Sequence, residues 1–450
     1  MRCALSTLSC VLVLASASAA AAQSSAVAQS TSEFNWSSWR GPTADGKASS
    51  RAQPPVRWDS KTNLRWTAKL PGEGSSTPIV WDDQIFLLSA EATDRKSESL
   101  VVMNEASKTI PPNVYYRFWV TSLDRKTGEV RWQKLAAEQV PHAGKHQTHT
   151  YAAGSPTTDG KHLYASFGSQ GIFCFSLAGE LVWKIDLGDM TTRYGWGEAV
   201  SPVLARDVLI VNWDQEQGSF IVGLDKRTGK TIWKVDRAAE VTSWNTPLVV
   251  ENAGQQLAIV NGTDRVRAYE VNTGKEVWAC GGQTVNAIPS PIRFEDTVIC
   301  MSGYRASMAM AIPINSSGDI TGSSQIRWKV EQGTPYVPSP ALSDHRLYFT
   351  GLNADILTCL DARTGKAIAD RKRLSGVTAL YSSPLIAGGH VYFCGREGTT
   401  LVIKDDESLE TVSVNKLEGA LDASPVAVGS DLFLRSWDTV YCISESAAGD

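Results

Sequence analysis

Hydrophobic and polar positions alternate over short segments through most of the chain, and Gly, Asp or Asn interrupts the alternation every few residues. Segments such as HLYASFG, RLYFTG and HVYFCG are typical of β-strands, in which successive side chains point to opposite faces of a sheet. No helical pattern separates these segments. The pattern therefore predicts an all-β protein.

The alternating segments belong to a repeat that begins with a small residue followed by Pro. The first two of these prolines are 78 residues apart, and the later ones follow at intervals of 41 to 49 residues. Four antiparallel strands in each interval of about 45 residues predict a β-propeller. The repeated prolines are Pro78, Pro156, Pro202, Pro247, Pro291, Pro340, Pro384 and Pro425.

The third strand of a repeat ends in an Asp-x-x-Thr-Gly turn, as in DRKTG and DKRTG. Gly permits the positive φ of a tight turn, and the Asp side chain can accept hydrogen bonds from the turn backbone, so we interpret this turn as structural. The fourth, outermost strand carries a tryptophan that we expect to pack between neighbouring blades. These tryptophans are Trp66, Trp132, Trp183, Trp233, Trp278 and Trp328.

Ring closure sets the number of blades. Only 25 residues follow Pro425, which is enough for three strands but not for four. The segment NLRWTAKL (63–70) matches the outermost strand and precedes the first repeated proline. We therefore predict an eight-bladed propeller of four-stranded antiparallel blades, closed by an N-terminal strand, with an insertion at about 91–117 that lengthens the first repeat.

The N-terminal residues are typical of a signal peptide, with Arg2 before an apolar segment and small residues around 20–22. We predict a signal peptide at 1–22, a flexible tether at 23–35 and the propeller domain at 36–450, exported to the periplasm or cell envelope. Cys10 precedes the apolar core, so lipidation is not expected. No later segment is long and apolar enough to span a membrane, and a chain with 43 basic and 47 acidic residues lacks the basic surface of a nucleic-acid-binding protein.

Six cysteines follow the predicted cleavage site, at 174, 280, 300, 359, 394 and 442. They include no CxxC motif and no adjacent pair, and three of them align with Ser122, Gly223 and Ala268 of other repeats. Disulfides are possible in an exported protein. Because the aligned position holds Ser, Gly, Ala or Cys, we interpret it as requiring a small side chain rather than a thiol.

The phrase Asp-x-x-Thr-Gly-x-x-x-Trp, as in DRKTGEVRW, resembles the repeat of the pyrroloquinoline-quinone-like (PQQ-like) propellers. The opening WSSWRGPTADG and the segment SFGSQGIFCFSLAGELVW are similar to a group of exported bacterial PQQ-binding-like proteins. The resemblance implies the propeller fold and two kinds of function. Quinoprotein dehydrogenases use PQQ with calcium, and the propeller lipoprotein of the outer-membrane barrel-assembly machine is not an enzyme. This chain lacks the adjacent Cys-Cys pair usual in the dehydrogenases.

Propeller geometry places the loops before each repeated proline, and the turns between second and third strands, around one mouth of the central channel. Aromatic, amide, acidic and Arg side chains concentrate there, which suits a small planar ligand or a peptide. We predict a ligand site formed by His149, Tyr151, Trp196, Glu198, Asn212, Asp214, Trp244, Asn245, Tyr304, Arg305, Tyr336, Tyr381 and Trp437.

Two motifs suggest a metal, and neither predicts one. His142, His146 and His149 lie in a Pro- and Gly-containing loop without a Cys or carboxylate to complete a zinc site. We expect His149 at the mouth, with His142 and His146 further out on the rim. Asn212, Asp214 and Glu216 have the spacing of a calcium loop but lack its distal Glu, so we interpret them as a solvated turn.

These observations favour a monomeric, non-catalytic binding or assembly scaffold whose channel mouth binds an envelope protein partner or a small ligand, without a cofactor. The alternative is an oxidoreductase that acts on alcohols or sugars with PQQ and Ca²⁺. A third hypothesis, glycan handling, follows from the aromatic residues at the mouth alone.

Overall fold

The computed structural model describes residues 34–98 and 108–445, which form an eight-bladed β-propeller. The predicted signal peptide, Cys10 and nearly all of the predicted tether lie outside these ranges, as does part of the insertion. The described residues contain no α-helix, only the two 3₁₀ turns Gly168–Gln170 and Arg193–Gly195. Nowhere in these ranges is a helix long and apolar enough to cross a membrane.

Each of the first four blades is an antiparallel sheet whose strands follow one another from the channel outwards. The strands are Ile79–Trp81, Gln84–Lys96, Val114–Asp124 and Val130–Gln139 (β2, β3, β5, β6); Thr157–Thr158, His162–Ser166, Ile172–Ser176 and Leu181–Ile185 (β8–β11); Val203–Ala205, Val208–Trp213, Phe220–Asp225 and Thr231–Asp236 (β12–β15); and Leu248–Asn252, Gln255–Asn261, Arg265–Glu270 and Glu276–Gly281 (β16–β19). A fifth strand, Gly318–Asp319 (β23), pairs in parallel with β19, which the repeat did not predict.

The last four blades follow the same plan. Their strands are Ile292–Phe294, Thr297–Ser302, Met308–Pro313 and Trp328–Val330 (β20–β22, β24); Ala341–Ser343, Arg346–Thr350, Ile356–Asp361 and Ala367–Arg373 (β25–β28); Leu385–Ala387, His390–Cys394, Thr399–Lys404 and Thr411–Lys416 (β29–β32); and Val426–Val428, Asp431–Arg435 and Thr439–Ile443 (β33–β35), completed by Leu64–Lys69 (β1). Strand β1 pairs with β35, so the predicted closure by an N-terminal strand is confirmed.

The two middle strands of a blade are buried on both faces, because each blade packs against a neighbour on either side. All six residues of β13 are buried, for example, whereas β15 exposes most of its side chains and buries Trp233. Strict alternation of buried and exposed positions, which the sequence led us to expect in every strand, therefore does not hold for the middle strands.

The tryptophan column joins consecutive blades through the turn between third and fourth strands, which is Asp-x-x-Thr-Gly or a variant such as Glu270–Gly274. The Trp233 indole N–H donates to the carbonyl of Val271 in the next blade at 2.7 Å, and the ring lies over Gly274 of that blade's turn. A Cβ added to Gly274 would approach the indole to 2.6 Å, so the glycine is needed for this contact as well as for its φ of +73°. The same indole-to-carbonyl bond forms at Trp66, Trp132, Trp183, Trp278 and Trp328.

The column of small residues lies opposite the tryptophans. Cys174 pairs in register with Trp183, Gly223 with Trp233, and Cys442 with Trp66. At Gly223 even a Cβ would lie 2.3 Å from the Trp233 ring, and the equivalent positions opposite Trp183 and Trp66 hold the small side chain of Cys. The six described cysteines are buried and unpaired, which agrees with the predicted packing role.

A closed ring of hydroxyl groups surrounds the channel and explains the small residue before each repeated proline. Each hydroxyl oxygen accepts a hydrogen bond from the equivalent backbone N–H of the preceding blade, and the Ser424 N–H closes the ring on Thr77 at 3.2 Å. Members of this hydroxyl ring are Thr77, Ser155, Ser201, Thr246, Ser290, Ser339, Ser383 and Ser424.

Residues 35–48, which we call the strap, cross the channel below the hydroxyl ring. The strap bonds to Val80 of blade one, and Thr158 of blade two donates to it. Arg40, only 3% exposed, donates to the carbonyls of Pro340 and Pro384 in blades six and seven, at 2.7 and 2.9 Å. Burial without a carboxylate contact lowers the pKa of Arg40 to about 10, so it stays charged at neutral pH. The strap crosses the far end of the channel and leaves a cavity of about 150 Å³ between itself and blades three to five.

The insertion lengthens the second and third strands of blade one. The extensions of these two strands stay paired beyond the rest of the blade, with Ala92 opposite Tyr116 and Lys96 opposite Val114. Between these two strands the chain also carries Thr109–Ile110 (β4). At the mouth, β4 pairs with Lys145–His146 (β7) of the histidine-containing loop.

Candidate functional site

The channel opens into a cavity of about 340 Å³ on the face opposite the strap, which we call the funnel. Its lining comes from loops between blades, from turns between second and third strands, and from the insertion. The lining residues are Lys108, His146, Thr148, His149, Trp196, Ala199, Trp244, Ile288, Tyr304, Tyr336, Val337, Asn353 and Tyr381. Below it, the hydroxyl ring and Trp39 of the strap enclose a further 140 Å³.

Six of the thirteen predicted site residues line the funnel: His149, Trp196, Trp244, Tyr304, Tyr336 and Tyr381. Their rings contact one another, with Trp196 and Trp244 stacked at 6.3 Å between centroids and Tyr304 and Tyr336 at 4.9 Å. The loops that the repeat places at the mouth thus bring their aromatic side chains together, and direct contact with a ligand stays a prediction.

Three of the other predicted residues, Asn212, Asp214 and Asn245, are buried and bond to other groups of the protein. Asp214 forms a bidentate ion pair with Arg237, at 2.8 and 3.0 Å, and accepts a hydrogen bond from Asn212. Both partners of the ion pair are buried, with at most 1% of either side chain exposed. The interpretation of 212–216 as a solvated turn was therefore wrong, because Arg237 holds Asp214 inside the protein. Asn245 is buried too, and its amide bonds to backbone groups of Pro289 and Asn261.

The remaining four lie around the funnel. Tyr151 and Glu198 line a separate cavity of about 10 Å³, no larger than a water molecule needs. Arg305 is exposed, with its guanidinium 5.3 Å from the Tyr304 ring. The Trp437 indole donates to Asp422 at 2.7 Å.

The histidine-containing loop contributes more to the funnel than its sequence suggested. His146 lines the funnel beside His149 and contacts the Trp196 ring edge-on at 5.9 Å, so its expected position on the outer rim was wrong. The reason is its pairing with β4, which draws it inwards. His142 is exposed and lies 3.3 Å from Asp189. Among residues 34–98 and 108–445, no three His, Cys, Asp or Glu side chains form a group that could hold a metal ion.

His149 is held as a neutral imidazole. Burial lowers its pKa to about 4, and Nε2 lies 3.1 Å from the Glu198 carbonyl oxygen. Since a carbonyl only accepts, Nε2 must carry the hydrogen and Nδ1 is left as an acceptor.

Glu198 has a carboxyl group that titrates near neutral pH. Burial raises its pKa to about 7, the Asp189 charge adds to this, and hydrogen bonds from the Ser169 N–H and hydroxyl oppose it. Its loop also carries Trp196 into the funnel.

We expect Glu198→Gln to remove one component of the pH dependence of stability. The folded protein holds the Glu198 proton more tightly than the unfolded chain, so wild-type stability falls as pH rises from about 4.5 to about 7. The melting temperature of Glu198→Gln relative to wild type should rise over this interval and then level off. The exposed Glu251→Gln is the control. A difference between Glu198→Gln and wild type that does not change with pH would contradict the prediction.

Several funnel residues were not among the thirteen predicted ones. Lys108 comes from the insertion and Thr148 from the histidine-containing loop, whereas Asn353 lies in a turn between second and third strands, the kind of turn that the sequence places at the mouth. Ile288 precedes a repeated proline by three positions, as Trp244 does, so alignment of the repeats could have found it.

Comparison with known proteins agrees with this architecture. Residues 117–369, more than half of the chain, match the sequence model of a family described as outer membrane protein assembly factor BamB. No curated protein sequence matches the chain.

Solved structures share the fold at low identity. BamB from Moraxella catarrhalis is 14% identical with a TM-score of 0.52, covering 81% of this chain and 98% of its own. A europium-containing methanol dehydrogenase is 12% identical with a TM-score of 0.60, covering 89% of each chain. Quinohemoprotein alcohol dehydrogenase from Comamonas testosteroni is 11% identical with a TM-score of 0.57, covering 92% of this chain and 81% of its own. With the family match over more than half its length, the chain belongs to the BamB family of PQQ-like propellers.

Proposed function

We propose that this protein is an exported, non-catalytic binding propeller of the cell envelope that binds a partner or ligand in the funnel. The observation that carries the proposal is the funnel itself, a mouth lined by paired aromatic rings above a channel whose far end the strap crosses. A family of assembly factors and an N-terminal sequence typical of a signal peptide support a place in the envelope.

The PQQ- and calcium-dependent alternative is less well supported by the residues present. Calcium takes six to eight oxygen ligands, usually including carboxylates. The described residues that line the funnel include no carboxylate, and Asp214 is already paired with Arg237. The described cysteines lie inside the blades. These donors do not fit a calcium ion, so we derive no oxidation step.

Cross-linking in the envelope tests the proposal. We expect wild-type protein to recover a partner or ligand, and the double variant Trp196→Ala, Tyr304→Ala to recover at least about tenfold less, because aromatic side chains dominate binding energies. Leu181→Ser, on an outer strand where Leu181 is 52% exposed, is the matched control and should behave like wild type. Equal recovery by all three proteins would refute binding in the funnel. Turnover of alcohols after incubation with PQQ and Ca²⁺ would refute the non-catalytic role.

A further inference from the structure

Three cationic side chains lie in or beside the funnel. Lys108 lines it, and the Arg396 guanidinium lies 4.8 Å from the ring of the lining residue Tyr381. Arg193 reaches the Asn286 side chain in the loop that carries Ile288. We call these three the rim cations. They favour an anionic ligand.

Few acids offset the rim cations. Asp422 lies 2.8 Å from Arg396, so that pair is nearly neutral. Arg193 donates to the Asn286 side-chain carbonyl at 3.2 Å, and neither it nor Lys108 forms an ion pair within the described ranges. Two cations therefore remain available to a carboxylate or sulfate group of a ligand.

The paired aromatic rings are too close together for a planar ligand to insert between them. A planar ring sandwiched between two others needs them about 7 Å apart, twice the carbon–carbon contact distance of about 3.5 Å. Trp196 and Trp244 are 6.3 Å apart, and Tyr304 and Tyr336 are 4.9 Å apart, at interplanar angles of 28° and 29°. Each pair is closed, so a ligand can stack on one side only.

The other side of a ligand would meet polar groups. Thr148, Asn353 and His146 line the funnel. The Thr148 hydroxyl bonds to His146 Nδ1 at 2.7 Å and Asn353 Oδ1 accepts from the Val337 N–H at 3.0 Å, so His146 Nε2 and the Asn353 amide N–H groups are the atoms of these side chains that a ligand can bond. A saccharide ring matches this arrangement, because its C–H face suits the negative face of an aromatic ring while its hydroxyls need donors and acceptors. The funnel volume of about 340 Å³ lies within the usual range for small-ligand sites.

We propose that the ligand of the funnel is an acidic saccharide, with the C–H face of a sugar ring against the aromatic pairs and its anionic group at the rim cations. The proposal rests on the proposed binding function and specifies its ligand class. An aromatic carboxylate shares the anionic group and one flat face but has no hydroxyls to bond to His146 Nε2 or to the Asn353 amide N–H groups.

Calorimetric titration of the mature protein with trigalacturonate, neutral galactotriose and 2-naphthoate tests this. We expect trigalacturonate to bind at least about tenfold more tightly than galactotriose and 2-naphthoate at low salt, and its affinity to fall as salt is raised. Arg193→Gln and Lys108→Gln should each weaken trigalacturonate about five- to tenfold and leave any galactotriose binding unchanged. Arg327→Gln is the matched control, because Arg327 is an exposed cation directly before the outer strand β24, 3.0 Å from Asp296.

Equal affinity for the acidic and neutral sugars, tighter binding of 2-naphthoate, or no binding of trigalacturonate would each overturn the proposal. If trigalacturonate fails while cross-linking still depends on Trp196 and Tyr304, only the ligand class is wrong. If both fail, the binding function of the funnel is wrong as well.

Discussion

Replacement of Trp233 by alanine is expected to lower the free energy of unfolding by about 3–5 kcal/mol. The indole is 8% exposed, packs between two blades and donates to the Val271 carbonyl at 2.7 Å, so the change leaves both a cavity and a buried acceptor. Trp233→Phe keeps part of the ring and should cost less. Chemical denaturation followed by circular dichroism measures both.

The glycine on the other side of the same contact provides an independent check. Gly274→Ala would place a Cβ 2.6 Å from the Trp233 ring, whereas Gly254→Ala, at φ +83°, meets nothing within 4 Å. Each substitution places an alanine in the left-handed conformation, which costs about 1–2 kcal/mol of stability. Only Gly274→Ala also displaces the indole. Equal losses of stability in the two variants would show that the glycine does not serve the contact between blades.

Removal of the Arg237 charge should have an effect of similar size. Arg237→Met leaves Asp214 buried without its partner, and a buried ion pair broken on one side typically costs about 3–5 kcal/mol. The double variant Asp214→Asn, Arg237→Met removes both charges and should recover a large part of that loss. Thermal unfolding of the wild type and of the single and double variants gives the coupling between the two residues.

The same proteins distinguish an ion pair from a calcium site. If Asp214 is a structural partner of Arg237, added Ca²⁺ should not raise the melting temperature of wild-type protein through this site. A calcium-dependent stabilisation that Asp214→Asn abolishes would contradict our interpretation of Asp214.

The blade plan could be predicted from the sequence because its determinants are local and recur along the chain, the small residue before proline eight times and the tryptophan six times. The strand pattern, the Asp-x-x-Thr-Gly turn and the Trp column recur at fixed places in the repeat. A misleading pattern in one repeat is therefore recognised by comparison with the others. Closure followed from the strand missing after Pro425. The hydroxyl ring was visible as a small residue before proline, but its hydrogen bonds require the neighbouring blade to be in place.

The funnel could be predicted only as a set of loops. Sequence position does not say whether a loop side chain points into the channel or back into a blade. Asp214 turned inwards because Arg237, 23 residues later, provides its charge partner. His146 entered the funnel because the insertion folds back and pairs with it. Both outcomes depend on contacts between segments that no local pattern specifies.

The strap that crosses the channel also has a kinetic consequence. Because the strap crosses the far end, we expect a molecule that has entered the propeller from the mouth to leave by the same route. We therefore expect the ring to hold a ligand rather than to conduct it from one face to the other. Substitutions at the mouth should then change the lifetime of a complex more than its rate of formation, as is general for variants of one binding site.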